Sequence, residues 1–571
     1  MLSIPLYRLA VARGGPRYFT FEGVMSSRRK RVQVIVLGVL LAAAGGVVYY
    51  VSPSSTPPVA TAKTQRDPTA HLVDGPAPAT RASRRQQQTA VGAAKRVDVA
   101  VIEQKNVALP ALEVKRKASE RPAEPGGVRV AADFEGTAPL EAKQLSDSRF
   151  SLRLTSPGLR NWFMLRVENV PASGITVRLD LDGISTQKWG SLNPLYSYCN
   201  DLSDLAAYGS KAQPAVLAAA RNGAQIPDTA AAGQQWHYLT ETWTDYGERL
   251  SVVHHFERDA YVAMRIPYLP AYHDAFLRSL ANEPNVSVIR LGESGSGRPL
   301  VLAKISASEQ SEREKPCILI YAREHANEQD GSWAVQGAIQ FLISGAPDAA
   351  RLRERANFLF IPLLDPDGAA AGSYERITYS FKRNNPSAEA LAYGGWFTQW
   401  LDAGKRLDIV LNLHNVESSE FAHLCCFFAE PGRLGVSQDL HAAISQRIAA
   451  ADGIYRVDPK FGQGYTTNRL GGWLGYYYGP LPMLYELNSQ EKHRHLTLAE
   501  LRDMGRRLVL GCTDFLDSPQ AAPALATIDY LRRQQEQVPR DNVPPNPFAA
   551  AAASRWTSLR AVEELAKKKT N

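Results

Sequence analysis

Cysteine is scarce in this chain, with five in 571 residues. Cys199, Cys317, Cys425, Cys426 and Cys512 include no Cys-x-x-Cys spacing, which excludes a cysteine-built zinc site. Their odd number gives no complete disulfide framework, and Cys317 and the Cys425-Cys426 pair lie in apolar runs that read as small hydrophobes. A strong charge imbalance is also missing. The net charge is only +8, and much of the basic excess falls at Arg28-Arg29-Lys30-Arg31, Arg84-Arg85 and Lys115-Arg116-Lys117. Those clusters fall in tail-like segments, not on a folded groove, so no nucleic-acid partner is expected. Long apolar runs are absent except for residues 32–51, broken only by Gln33.

That run is long enough to cross a hydrocarbon core of ~30 Å as a helix. The basic segment 1–31 before it, where Met25 is an alternative start, predicts an orientation with the rest of the chain outward. The expectation is single-pass membrane association, as a retained anchor or as a signal segment removed on secretion. Residues 52–126, rich in Ala, Pro, Thr, Gln and basic residues, bury too little apolar surface to offset their ordering entropy and read as a disordered linker.

Residues 127–280 carry short period-two segments, such as 150–154, 163–167, 175–181 and 260–264, which predict an antiparallel β-sandwich. His254 and His255 fall on one such strand with opposite facing and are read as structural. From 281 to 518 the pattern switches to apolar runs at 317–321, 358–364 and 409–413, alternating with helical stretches at 331–343 and 438–451. This predicts an α/β domain with a central, largely parallel sheet flanked by helices. Residues 519–571 return to low complexity, with one candidate helix at 556–569.

The chemistry gathers in the α/β segment. His325 and Glu328 stand three apart in Tyr321-Ala322-Arg323-Glu324-His325-Ala326-Asn327-Glu328. His414 ends one later apolar strand and Glu486 ends another. Two imidazoles and a carboxylate can hold one zinc ion and leave a position open, and a further carboxylate is the usual proton acceptor. In open α/β sheets functional residues lie just past the carboxyl ends of strands. The pattern predicts a zinc hydrolase.

With the Pro366-Asp367-Gly368 turn in the same order, these residues resemble the zinc metallocarboxypeptidases. A β-sandwich ahead of the catalytic domain is similar to the cytosolic carboxypeptidase branch, and the present chain reads as a bacterial member. Trp162-Phe163, Asn193-Pro194-Leu195-Tyr196-Ser197 and residues 263–268 support that branch. The resemblance implies a carboxypeptidase-like mixed sheet and hydrolysis of the C-terminal amide bond of peptides or proteins. It also implies zinc held by His325, Glu328 and His414, with Glu486 as general base. Arg383 would grip the substrate carboxylate, Arg376 would stabilise the oxyanion, and Tyr465 would close over the substrate.

The resemblance has gaps. Ser380 stands where relatives carry an aspartate that steadies the first zinc histidine, and Lys382 stands where they carry an asparagine. Lys382 or Asn384 would then take over part of substrate binding. Loss of an outer carboxylate typically costs metal affinity about 10- to 100-fold. The altered segment leaves two other readings open, a deacylase of acyl-amino acids and a catalytically impaired binding module of the cell envelope. Residues 32–51 predict a bacterial inner-membrane protein with its catalytic domain in the periplasm or outside, or else a secreted one. Such a location would make peptidoglycan-derived peptides the substrates.

Overall fold

The computed structural model describes residues 127–548 apart from 156–161, 184–192, 204–234, 240–241, 246–248, 307–311, 374–376, 378–379, 382–385, 417–422, 428–430, 450–456, 463–468, 492–493, 527 and 530–545. The chain divides into two units, Met1–Ala93 and Ala94–Asn571, and every described residue lies in the second. The expected basic segment, membrane span, linker and 556–569 helix lie outside the described residues.

The period-two segments form two five-stranded sheets. The first contains β1 (Arg129–Ala131), β4 (Met164–Glu168), β6 (Leu195–Ser197), β7 (His237–Tyr238) and β10 (Ala260–Ala263), in the order β1-β4-β10-β6-β7. The second contains β2 (Leu140–Ser146), β3 (Arg149–Leu154), β5 (Ile175–Asp182), β8 (Thr242–Asp245) and β9 (Arg249–Phe256), in the order β2-β3-β5-β9-β8. Pairing is antiparallel throughout except between β3 and β5, which run parallel. Alternation produces one shared core: Val177, Leu179, Leu181, Leu250 and Val252 of the second sheet join Leu165, Val167 and Val262 of the first. Each such side chain, fully buried, contributes about 1.5–3 kcal/mol. The adjacent histidines of β9 keep structural company. His254 lies over the Tyr196 ring at 4.2 Å between centroids, and His255 Nδ1 is 3.2 Å from Thr176 Oγ1.

Helix α1 (Pro270–Ser279) leads into an eight-stranded mixed sheet. Its strands are β11 (Val286–Glu293), β12 (Pro299–Ile305), β13 (Cys317–Ala322), β14 (Asn357–Ile361), β15 (Ile409–Asn415), β16 (His423–Phe427), β17 (Asp458–Gly462) and β18 (Leu481–Leu487), in the order β11-β12-β14-β13-β15-β18-β16-β17. The four central strands β14, β13, β15 and β18 run parallel. β13 and β14 are buried at every position and β15 at all but Asn415, as their unbroken apolar runs require. Antiparallel neighbours flank this centre on both sides.

The flanking helices are α2 (Gln329–Ile343), α3 (Pro347–Arg355), α4 (Pro366–Ala370), α5 (Ala388–Asp402), α6 (Pro431–Ala449), α7 (Leu470–Tyr478) and α8 (Leu498–Leu516). α2 begins two residues before the predicted helix, and α6 begins seven residues before its counterpart. The Pro366-Asp367-Gly368 turn is a short helix, because the Asp365 carboxylate caps it by accepting from the Gly368 N–H at 2.8 Å. α2 and α8 cross at backbone contact distance. A Cβ on Gly337 would lie 2.0 Å from the Arg502 carbonyl oxygen, and one on Gly505 would lie 1.7 Å from that of Ala334. This contact fixes α2, whose first residue follows Glu328.

Beyond residue 518 the chain still contributes to the core. Ala521, Ala524 and Ile528 are buried, and Phe548 is fully buried edge-on to Trp473 and Phe381. Asn546 Nδ2 donates to Thr398 Oγ1 at 3.0 Å, which helps hold this segment against α5.

His273 on α1 is buried, and that burial, aided by the Arg323 charge, pushes its imidazolium down to about 3. The folded state therefore resists a proton that the unfolded chain accepts near 6.5. Its contribution is complete above that value and is lost as pH falls toward 3, at up to about 1.4 kcal/mol per pH unit. The His273→Gln variant is expected to lose less melting temperature between pH 6.5 and 4 than the parent. An equal loss would contradict the assignment.

Candidate active site

Three adjacent parallel strands, β13, β15 and β18, end at the same edge of the sheet and present the candidate residues there. β13 ends at Ala322, α2 starts at Gln329, and the six intervening residues carry His325 and Glu328. The loop turns at Arg323, whose φ of 68° is unusual for a residue with a side chain. Such a conformation costs on the order of 1–3 kcal/mol and needs surroundings that hold it. They do so through the guanidinium, which is fully buried. It donates from Nε to the Ala326 carbonyl at 2.6 Å, and from one terminal nitrogen to the Tyr268 carbonyl at 2.9 Å and Gln329 Oε1 at 2.8 Å. Burial lowers the Arg323 pKa to about 9 despite the neighbouring Asp365.

The loop brings His325 Nδ1 to 2.8 Å from Glu328 Oε1. His414, on β15, places its Nδ1 2.8 Å from Glu328 Oε2 and 3.1 Å from His325 Nδ1. All three side chains are buried, and their ligand atoms lie within 4.8 Å of one another. Two ring nitrogens and a carboxylate aimed at one point are the donor set of a catalytic zinc centre, in which three protein ligands leave a fourth position open. The residues therefore fit the ion. Burial alone would lower the basicity of His414. The Glu328 charge, hydrogen bonds to Glu324 and Glu328, and the Glu486 charge outweigh it and push the pKa up to about 10. Burial would raise the Glu328 pKa, but the two histidines hold that carboxyl well below its ordinary range. Both shifts describe a pocket that stabilises positive charge beside Glu328.

Glu486 occupies the register partner of His414 on the neighbouring strand β18. Facing alternates along a strand, so register partners share a sheet face, and Glu486 lies half-buried beside the histidine. Further polar residues brace the ligands. The Asn415 N–H donates to Glu328 Oε2 at 3.1 Å, and its side-chain amide donates to Asp330 Oδ2 at 2.6 Å. Asp330 also accepts from Arg265 at 2.5 Å, and Arg265 donates to Ser489 Oγ at 2.7 Å and the Val416 carbonyl at 3.1 Å. Arg265 follows β10, so this buried chain ties the N-terminal sheets to a candidate ligand. On the other side of His414, Nε2 lies 3.3 Å from Glu324 Oε2.

His325, Glu328, His414 and Glu486 are thus brought together. Arg376, Lys382, Arg383, Asn384 and Tyr465 lie outside the described residues. Ser380 and Phe381, which border the Lys382–Asn384 segment, are buried, and Phe381 stacks on Trp473. Sequence reasoning passed over Glu324, Arg265, Asp330 and Asn415. Glu324 left a usable signal, an acidic residue directly beside His325 at the end of a fully apolar strand. Arg265 lies in the 263–268 segment that supports the resemblance, but its partners Asp330, Val416 and Ser489 are remote in sequence and gave no sign of its role.

Comparison with known proteins follows the same geometry. Residues 273–408 match the family described as zinc carboxypeptidase, Peptidase_M14. Over that segment the chain is similar to the zinc carboxypeptidases. Cytosolic carboxypeptidase 2 of Danio rerio is 29% identical over 224 residues, covering 37% of this chain and 29% of that protein. Cytosolic carboxypeptidase 1 of Mus musculus is 30% identical over 176 residues, covering 27% of this chain and 14% of that protein. The chain thus matches less than a third of the length of these curated relatives. A metallo-carboxypeptidase crystal structure from Burkholderia cenocepacia superposes with a TM-score of 0.54 at 18% identity, covering 69% of this chain and 99% of that one. This places the chain in the carboxypeptidase-like α/β fold, with an antiparallel sheet region preceding it.

These findings correct the expected location. The curated relatives carry the name cytosolic carboxypeptidase. The inner-membrane placement with an external catalytic domain, its secreted variant and the envelope substrates that depended on them are withdrawn. They rested on residues 32–51 alone, which lie outside the described residues.

If the converging side chains hold zinc, His414→Ala should weaken zinc binding by more than ~100-fold, beyond the range typical for loss of an outer hydrogen-bond partner. Competition with a chromophoric chelator measures this. Parental affinity in the variant would exclude His414 as a ligand.

Proposed function

We propose that this protein is a metallocarboxypeptidase that hydrolyses the C-terminal amide bond of peptides or proteins, using one zinc ion held by His325, Glu328 and His414. The observation that carries the reading is the meeting of these ligand atoms at the ends of adjacent parallel strands, with Glu486 in register beside His414. Zinc, when bound, polarises the scissile carbonyl and lowers the pKa of water. Glu486 acts as general base, taking a proton from the attacking water and passing it to the leaving amine. Its half-buried position gives it access to solvent while keeping it beside the ligands.

Substrate recognition falls to residues carried over from the family resemblance. Arg383 pairs with the terminal carboxylate through its planar guanidinium, aided by Lys382 and Asn384. Arg376 stabilises the developing oxyanion, and Tyr465 covers the bound residue. The family match and the names of the relatives support peptide-bond hydrolysis over acyl-amino-acid deacylation or an inert binding module.

The test is digestion of a peptide library with varied C-termini by the zinc-loaded full-length chain, beside Glu486→Gln. The parent should trim residues one at a time from the C-terminus, and the variant should lose at least ~100-fold in kcat, within the usual range for a general base. Equal activity in the variant would remove Glu486 from the mechanism. A folded, zinc-loaded parent that cleaves acyl-amino acids but no peptide would replace the carboxypeptidase reading with deacylation.

A further inference from the structure

We propose that Glu324 is a positioning residue for the metal centre, fixing the ring orientation and tautomer of His414. The inference rests on the proposed zinc reading and adds a residue to it. His414 has two ring nitrogens with opposite surroundings. Nδ1 faces Glu328 Oε2 at 2.8 Å and His325 Nδ1 at 3.1 Å, while Nε2 faces Glu324 Oε2 at 3.3 Å. A neutral imidazole that offers its Nδ1 lone pair to a metal carries its hydrogen on Nε2. The group facing Nε2 must then accept that hydrogen, and a carboxylate is the strongest acceptor a side chain can supply.

Glu324 is held ready for this task. It is fully buried, where an unpaired carboxylate would be costly. The same oxygen, Oε2, accepts from Asn412 Nδ2 at 2.9 Å and lies 3.6 Å from the Arg469 guanidinium. Asn412 stands two residues before His414 on β15, so both side chains meet Glu324 from one face of one strand. Arg469, at the N-cap of α7, supplies a compensating positive charge. Glu324 also sits beside the ligand His325 in sequence, so the loop that delivers the first histidine orients the second.

The test uses the full-length chain with zinc and, separately, with cobalt(II) as a spectroscopic stand-in. Circular dichroism and melting temperature establish that each variant folds. Glu324→Ala should bind zinc about 10- to 100-fold more weakly, the range seen when an outer partner of a metal-bound histidine is removed. The visible absorption bands of its cobalt form should shift as the His414 ring reorients. Glu324→Gln, which keeps the shape and an amide oxygen able to accept from Nε2, should recover part of that affinity. If Glu324→Ala does not fold, Glu324→Gln alone decides, with a loss of several-fold expected. A folded Glu324→Ala, or failing that Glu324→Gln, with parental zinc affinity and unchanged cobalt bands would overturn the role of Glu324 while leaving the zinc reading intact. A parent chain that binds no zinc would instead overturn the zinc reading, and this inference with it.

Discussion

The arrangement depends on one electrostatic constraint. Two imidazole nitrogens 3.1 Å apart, each 2.8 Å from one carboxylate, make a buried site that strongly favours positive charge among them. A proton meets the demand in part, which is why His414 is so strongly basic. A divalent cation meets it more fully, because it satisfies all three donors at once. Much of the surrounding structure holds those donors in place against their mutual cost. The buried Arg323 hydrogen bonds, the helix contact at Gly337 and Gly505, and the strand register between β15 and β18 all serve this end.

The N-terminal sheets take part in that restraint. Arg265 leaves the end of β10 and enters the α/β region, where Asp330, Asn415 and Glu328 follow in hydrogen-bonded sequence. Tyr268 supplies both a carbonyl to Arg323 and an N–H to Gln329. The contacts are buried, so breaking one partner would leave a charge or amide unsatisfied at substantial cost. The two sheets therefore help hold the candidate ligands in place and are not an independent appendage.

Much of this was legible in the sequence, for physical reasons. Strands buried on both faces must be apolar throughout, so β13, β14 and β15 stood out as runs. Polar residues at the ends of such runs, His414 and Glu486, are expensive unless they serve chemistry, and that marked them. The β3–β5 pair was not readable as parallel, because alternation records which face is buried and not which neighbour is paired. Asp365 capping turned an expected turn into α4 by a side-chain contact that composition does not encode. Phe548 was invisible as a core residue because it stands alone in an Ala- and Pro-rich stretch, and its partners Trp473 and Phe381 lie far upstream. The supporting network of Arg265, Asp330 and Asn415 was hidden for the same reason, since each contact joins residues remote in sequence. The apolar run at 32–51 predicts an external location, whereas the curated relatives carry the name cytosolic carboxypeptidase.

His325, Glu328 and His414 are proposed to share one zinc ion. Anomalous diffraction at the zinc edge from crystals of the zinc-soaked full-length chain addresses it directly. A single strong peak is expected among His325 Nδ1, the Glu328 carboxylate and His414 Nδ1, at about 2.0–2.2 Å from each ligand atom. A peak held by other residues, or no peak among these three in a fully zinc-loaded crystal, would contradict it.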